Sequence, residues 1–237
     1  MKRIFLIAII ILPAHCFAQV HASLSTGLGG FAMNDMKKHQ MELKAQFPVG
    51  VKVIKSFPSY WFYDLSITGN VSDRVRVGGT IGFMSTGGRM DYRDYSGSIG
   101  CDQIATTWTP AFRGDVLINP KSQWPVYYTT RIGAAFGLYE LNAYSDINGD
   151  EDRNNIKFQS INAFIEPGFI VTHKVAGPLS VTVSAGYNIA VFKGKQKFST
   201  DNSLFLLNNS NEKITLDWSG FRLGIGLSVN LTEFTDQ

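Results

Sequence analysis

The sequence predicts an all-β chain: eight antiparallel strands in up-and-down order, closed into a membrane-spanning β-barrel. Three observations predict it. Apolar and polar residues alternate with a period of two through most of the chain. The alternating segments run to ten residues or more, where strands of globular sheets average roughly five or six. The connections between them alternate long and short.

The chain opens MKRIFLIAIIILPAHCFAQ. Lys2 and Arg3 form a basic start, residues 4–12 are an unbroken apolar run, Pro13 ends it, and Cys16 and Ala18 place small residues beside a cut before Gln19. This is the layout of a secretory signal peptide, so residues 1–18 are expected to be removed and 19–237 to form the barrel domain. The apolar run is too short to span a bilayer as a helix. A lipoprotein reading would lipidate Cys16, but Pro13 and His15 stand where that signal needs an apolar and a small residue.

Net charge is +3, and Lys2 and Arg3 leave with the signal. The near-neutral remainder argues against a nucleic-acid partner. Cys101 is the one cysteine beyond the signal, which excludes an intrachain disulfide framework. Aromatic content is 13% and charged content 17%. Exported, aromatic-rich and poor in charge is an unusual combination for a soluble domain.

The first alternating segment covers 21–32 and the second 60–69. In the third, 74–83, Val75, Val77, Ile81 and Phe83 share one face, and Arg74, Arg76, Gly78, Thr80 and Gly82 the other. The fourth, 103–118, sets Ile104, Trp108, Phe112 and Val116 against Gln103, Thr107, Arg113 and Asp115. The fifth to seventh cover 126–141, 160–172 and 179–191. The eighth, 213–231, changes phase between Trp218 and Phe221, and a bulge at Ser219-Gly220 would absorb the extra residue. Connections at 33–59, 86–98, 142–159 and 192–212 are long; those at 70–73, 119–124 and 173–178 are short. Short turns on one side and long loops on the other are the pattern of barrels in the bacterial outer membrane, with short turns and both termini periplasmic. Within 34–46, Asn34 is placed to cap a short helix. The same region also alternates as a hairpin that would raise the count to ten, but Pro48 and Lys52 would fall inside the span.

One face of the strands carries the charge: Asp64, Arg76, Arg113, Asp115, Arg131, Glu166, Asp217 and Arg222. An Arg or Lys facing lipid at the midplane costs about 2–4 kcal/mol, so these residues are expected inside. Eight strands enclose a lumen just wide enough to be filled by side chains, and four arginines can neutralise four carboxylates there. Inward glycines such as Gly78, Gly82, Gly133 and Gly137 leave room for them.

The segments SFPSYWFYDLSI, STGGRMDYRDYSG and FRLGIGLSVNL resemble small outer-membrane β-barrel proteins of Gram-negative bacteria. They are similar in particular to a group of such barrels sharing an FP…STGGR…DYSG pattern. The OmpA, OmpX and OmpW types share the predicted architecture. The resemblance covers the chain beyond the signal and implies insertion by the barrel assembly machinery, but no particular activity. Such proteins typically end on an aromatic residue, whereas here Thr235, Asp236 and Gln237 follow Phe234.

Three clusters are candidate sites. In 86–98, Arg89, Asp91, Arg93 and Asp94 alternate with Tyr92 and Tyr95. The arginines suit lipopolysaccharide phosphates and the tyrosines suit sugar rings; a loop folded on its own ion pairs is the plainer reading. Asp146, Asn148, Asp150 and Asp152 have the spacing of calcium ligands, but Gly149 is misplaced for a calcium loop and no closing glutamate follows. His21, His39 and His173 are the histidines beyond the signal, and none pairs visibly with a serine and an acid. The expectation is therefore a monomeric, non-enzymatic barrel without cofactor, in a structural or surface-interaction role, with outer-membrane lipids and lipopolysaccharide as partners. Two alternatives stand beside it: a conduit for small solutes or lipid-like ligands, as in the OmpW type, and a lipid-modifying enzyme built around His39.

Overall fold

The computed structural model describes residues 19–95, 97–147 and 149–232. The predicted signal peptide, Asn148 and Phe234 lie outside them. The chain runs β1 (Val20–Gly29), α1 (Asn34–Gln46), β2 (Lys52–Ser56), β3 (Tyr60–Asn70), β4 (Val75–Asp94), β5 (Gly97–Leu117), β6 (Val126–Ile147), β7 (Asp150–Ala176), β8 (Leu179–Phe192), β9 (Lys197–Phe198) and β10 (Gly220–Asn230).

Among the described residues, eight strands close a ring in the order β1, β3, β4, β5, β6, β7, β8, β10. Every pairing is antiparallel, and β10 returns to β1 with His21 opposite Asn230 and Gly29 opposite Arg222. The predicted eight-stranded meander is thus the observed one. Period-two alternation dictates what faces out: Leu65 and Ile67 on β3, Trp108 and Phe112 on β5, Ile132 and Phe136 on β6, and Leu223, Ile225 and Leu227 on β10 are all exposed. Tyr128 with Phe169 near the terminal end, and Tyr187 with Phe221 toward the far end, pack edge to face on this outer surface. The belt on β6 runs from Tyr128 to Phe136, matching the about nine to eleven residues that a tilted strand needs to cross hydrocarbon.

The strands do not stop where the belt stops. β4 and β5 continue through most of 86–98, and β6 and β7 through most of 142–159, where the sequence predicts loops. The reason is a second buried face. Met84, Met90, Cys101, Tyr139 and Phe158 point inward above the ring and are buried. Neighbouring strands change over at this level. β3 last pairs with β4 at Phe62 opposite Met84, and β2 replaces it with Val53 opposite Met90. β8 last pairs with β7 at Phe192 opposite Ala163, and β9 replaces it with Phe198 opposite Phe158. The upper storey is therefore a sheet in the order β2, β4, β5, β6, β7, β9.

Two segments cover that sheet. Phe31, Met33, Met36 and Phe57 join Ile214, Leu216 and Trp218 in one apolar cluster with Tyr139 and Phe158. Phe31 and Trp218 meet edge to face at 5.2 Å. Leu43 and Phe47 pack on a second cluster of Val51, Met90 and Cys101. Region 34–46 is thus the helix of the two alternatives, although its cap is Met33, in the left-handed conformation, and not Asn34. Asp35 in the first turn accepts hydrogen bonds from the Thr215 amide and hydroxyl, at 3.2 and 2.6 Å, and so ties the helix to the second covering segment.

The eighth predicted segment is corrected too. β10 begins at Gly220, and residues 213–219 are not strand in the ring. The even-phase Leu216 and Trp218 belong to the apolar plug, the odd-phase residues after them to the barrel wall. The phase change marks a chain passing from plug to wall and not a bulge. Gly220 makes the passage: its φ is 151°, and a Cβ there would lie 2.2 Å from the Gly30 carbonyl oxygen.

Trp218→Ala removes the largest side chain of the plug. It should lower unfolding stability in urea by about 3–5 kcal/mol, as for other buried Trp deletions; an unchanged midpoint would show that the plug contributes little.

Candidate functional site

The ring's lumen holds the charged residues, and the strand register decides who meets whom. Arg131 on β6 stands opposite Glu166 on β7 and forms an ion pair with it. Its other guanidinium nitrogen crosses the lumen to Asp64 on β3, at 2.8 Å. Glu166 also accepts a hydrogen bond from the Asn188 amide of β8 at 3.1 Å. Gly82 makes room for this trio, since a Cβ there would lie 2.3 Å from Asp64 Oδ1.

Below it, Arg113 grips Asp115 two residues along β5 through two parallel bonds of 2.8 and 2.9 Å, and donates to the Ser66 hydroxyl at 3.0 Å. Asp115 accepts a further bond from the Thr129 hydroxyl at 2.7 Å. Arg76 faces Asp115 in register, but its contact is Tyr127, whose hydroxyl it bonds and whose ring lies 4.1 Å from the guanidinium.

Two predicted members make their bonds to the plug instead, although Arg222 also lines the cavity beside Asp64, Arg131 and Glu166. Arg222 points at the plug and donates to the carbonyls of Gly30 and Trp218 at 2.8 and 2.9 Å, with the Phe31 ring 4.9 Å away. Asp217 belongs to the plug and pairs with Lys193 at 2.5 Å. Lys193 was hidden in a predicted loop, yet VFKGKQKF alternates lysines with Gly194, Gln196 and Phe198, which is a legible strand-like signal. The space left in the charged lumen is a cavity of about 70 Å³, a few waters' worth. Above it lies the apolar plug. This arrangement holds charge in place within the ring and sets apolar side chains above it.

The second cluster is a strand surface and not a loop. Arg89 on β4 pairs with Asp102 on β5 at 3.1 Å. Asp91 accepts from the Tyr144 hydroxyl of β6 at 3.1 Å, and Tyr92 donates to Asp94 at 3.0 Å. The ion pairing runs from strand to strand, while Arg93 and Tyr95 are exposed at the tip. Asp146, Asp150 and Asp152 spread along the β6–β7 hairpin, where Asp146 faces Glu151 and Ser145 faces Asp152; Asn148 is outside the described residues. Among the described residues no group of three or more His, Cys, Asp or Glu side chains is placed to hold a metal ion.

The histidines lie apart. His21 lines the lower cavity. His173 stacks on Trp124 at 4.1 Å at the terminal rim. His39 is buried on α1, and neither ring nitrogen has a hydrogen-bond partner among the described residues. Burial pushes its pKa below 6.5, against the opposing pull of Glu42. Burial likewise pushes the Cys101 thiol up to about 11, with Asp102 adding to the shift.

No protein-family model matches the chain, and no curated protein sequence matches it either. Solved structures do. OprG of Pseudomonas aeruginosa, an outer membrane protein, is similar at 14% identity and a TM-score of 0.45, over 91% of this chain and 97% of that one. Ail, the attachment invasion locus protein of Yersinia pestis, is similar at 11% identity and a TM-score of 0.37, over 88% and 97%. Neisserial surface protein A gives 13% identity and a TM-score of 0.34, over 90% and 97%.

Two outcomes follow from the site. Glu166→Ala leaves Arg131 with Asp64 as its one ion-pair partner and should cost on the order of 3 kcal/mol in urea unfolding; no loss would mean that water solvates the trio. His39 has a folded pKa below its unfolded value, so the unfolded chain binds the proton first. Stability should therefore fall as pH drops through 6.5 and below. His39→Phe should flatten that slope in chemical unfolding at pH 7 and pH 5.

Proposed function

We propose that the chain is an outer-membrane β-barrel with a structural or surface-interaction role and without catalytic activity. Its termini are periplasmic, and the tall β4–β7 wall rises on the extracellular side. The observation that carries this reading is an apolar belt around a filled lumen. The belt needs hydrocarbon, because a continuous exposed apolar surface of this kind is unstable in water. The lumen is occupied by paired charges and the level above it by the plug, which supports a scaffold over a conduit. With β3 and β8 ending at the belt, β4–β7 present the projecting surface.

Short turns at the terminal end and the tall wall at the other support the orientation. In that orientation Arg93 and Tyr95, exposed at the tip of β4 and β5, are the members of the second cluster free to touch lipopolysaccharide or a surface partner, since Arg89 is engaged by Asp102. The protein acts as a monomer, is inserted by the barrel assembly machinery, and has neither a nucleic-acid partner nor a cofactor.

Single cysteines at Asp94 and Asn208, in a Cys101→Ser background, should react with an impermeant maleimide on intact cells. Cysteines at Ser72 and Ser122 should react only after lysis. The protein should fractionate with the outer membrane and migrate differently in detergent gels before and after boiling. The reverse labelling pattern would invert the orientation, and recovery as a soluble protein would end the reading.

A further inference from the structure

A crevice of about 670 Å³ opens where β8 parts from β7. Its size is within the range of ligand sites. The break in the ladder makes it. The last β7–β8 pair is Ala163 with Phe192, and pairing resumes with β9 at Gln159 opposite Lys197. Between them the departing chain is fastened, not loose. The Gly194 amide donates to Asn162 Oδ1 at 2.8 Å, and Asn162 Nδ2 donates to the Leu216 carbonyl at 2.8 Å. The chain passes so close over β7 that a Cβ on Gly194 would lie 2.2 Å from the Ile161 carbonyl oxygen.

The crevice has two chemistries. Phe136, Leu138, Ile161 and Phe192 line it. Phe136 and Ile161 are opposite each other on the outer face, exposed, and continuous with the apolar belt. Lys195 and Lys197 line its upper side. They alternate with buried Gly194 and Gln196, so both turn outward on one side. Nearby Lys193 is held by Asp217 and Lys157 by Glu140 at 3.1 Å. Among the described residues, neither Lys195 nor Lys197 has an ion-pair partner; Lys197 has only the Phe205 ring, 5.5 Å away.

We propose that this crevice is a binding site for a phosphate-bearing lipid of the surrounding leaflet. Lys195 and Lys197 take the phosphate, and the slot between Phe136, Leu138, Ile161 and Phe192 takes an acyl chain. Two uncompensated ammonium groups at the upper edge of an apolar belt stand at headgroup depth, where an anionic phosphate complements them. The slot below opens onto the belt, so an acyl chain enters from the leaflet without leaving hydrocarbon. The proposal rests on the belt facing a membrane.

The test uses the full mature chain reconstituted in phosphatidylcholine nanodiscs doped with lipid A, then extracted into detergent for native mass spectrometry. The unmodified protein should retain one lipid A. The Lys195→Ser/Lys197→Ser double variant should retain at least tenfold less, as should the unmodified protein given dephosphorylated lipid A. Leu138→Trp, which fills the slot and leaves both lysines, should also reduce retention. Equal retention by all three proteins would mean general annular lipid and overturn the site. Displacement by millimolar inorganic phosphate would reduce it to a free-phosphate site and overturn the acyl slot. Failure of the unmodified protein to enter nanodiscs would overturn the membrane reading together with the site. Entry with unselective retention would overturn the site alone.

Discussion

The structure depends on Arg131 being held between Asp64 and Glu166. A closed ring of eight strands leaves an interior that side chains fill. This interior is polar because the apolar half of every strand is used outside. A guanidinium in such a space is costly unless its charge and its donors are met. Asp64 comes from β3, Glu166 from β7, and Asn188 from β8 supports Glu166. One cation thus ties together strands from opposite sides of the ring. The separate Arg113–Asp115 clamp and the Arg76–Tyr127 contact fill the level beneath it.

The plug follows from the same geometry. Once β3 and β8 end, the inner faces of the four remaining strands would be open to water. Met84, Met90, Tyr139 and Phe158 are too apolar for that. α1 and residues 214–218 close over them. Arg222 joins the two storeys, since it stands in the ring on β10 while its donors serve the Gly30 and Trp218 carbonyls of the covering segments. The upper storey is therefore a small soluble-type core set on a membrane-type ring, and the crevice beside Gly194 lies at the seam.

The ring was legible because each of its strands must alternate to separate lipid from lumen, and alternation survives in the sequence as in 74–83 and 179–191. The Arg131–Glu166 pair was legible too, as facing residues on neighbouring strands. Three things were not. The reach of Arg131 across the lumen to Asp64 depends on closure and shear, which no strand carries by itself. The continuation of β4–β7 past the belt was masked because 86–98 and 142–159 are polar outside, and their buried residues, such as Met90 and Phe158, are few. The fate of Leu216 and Trp218 was misread because an inward-pointing apolar residue looks the same in a strand and in a plug.

Planar-bilayer recording of the unmodified protein tests the central claim that the lumen is closed by its own side chains. No large, steady conductance is expected, because paired charges leave a cavity of about 70 Å³ beneath an apolar plug. A stable, porin-sized open channel would contradict it and favour a conduit.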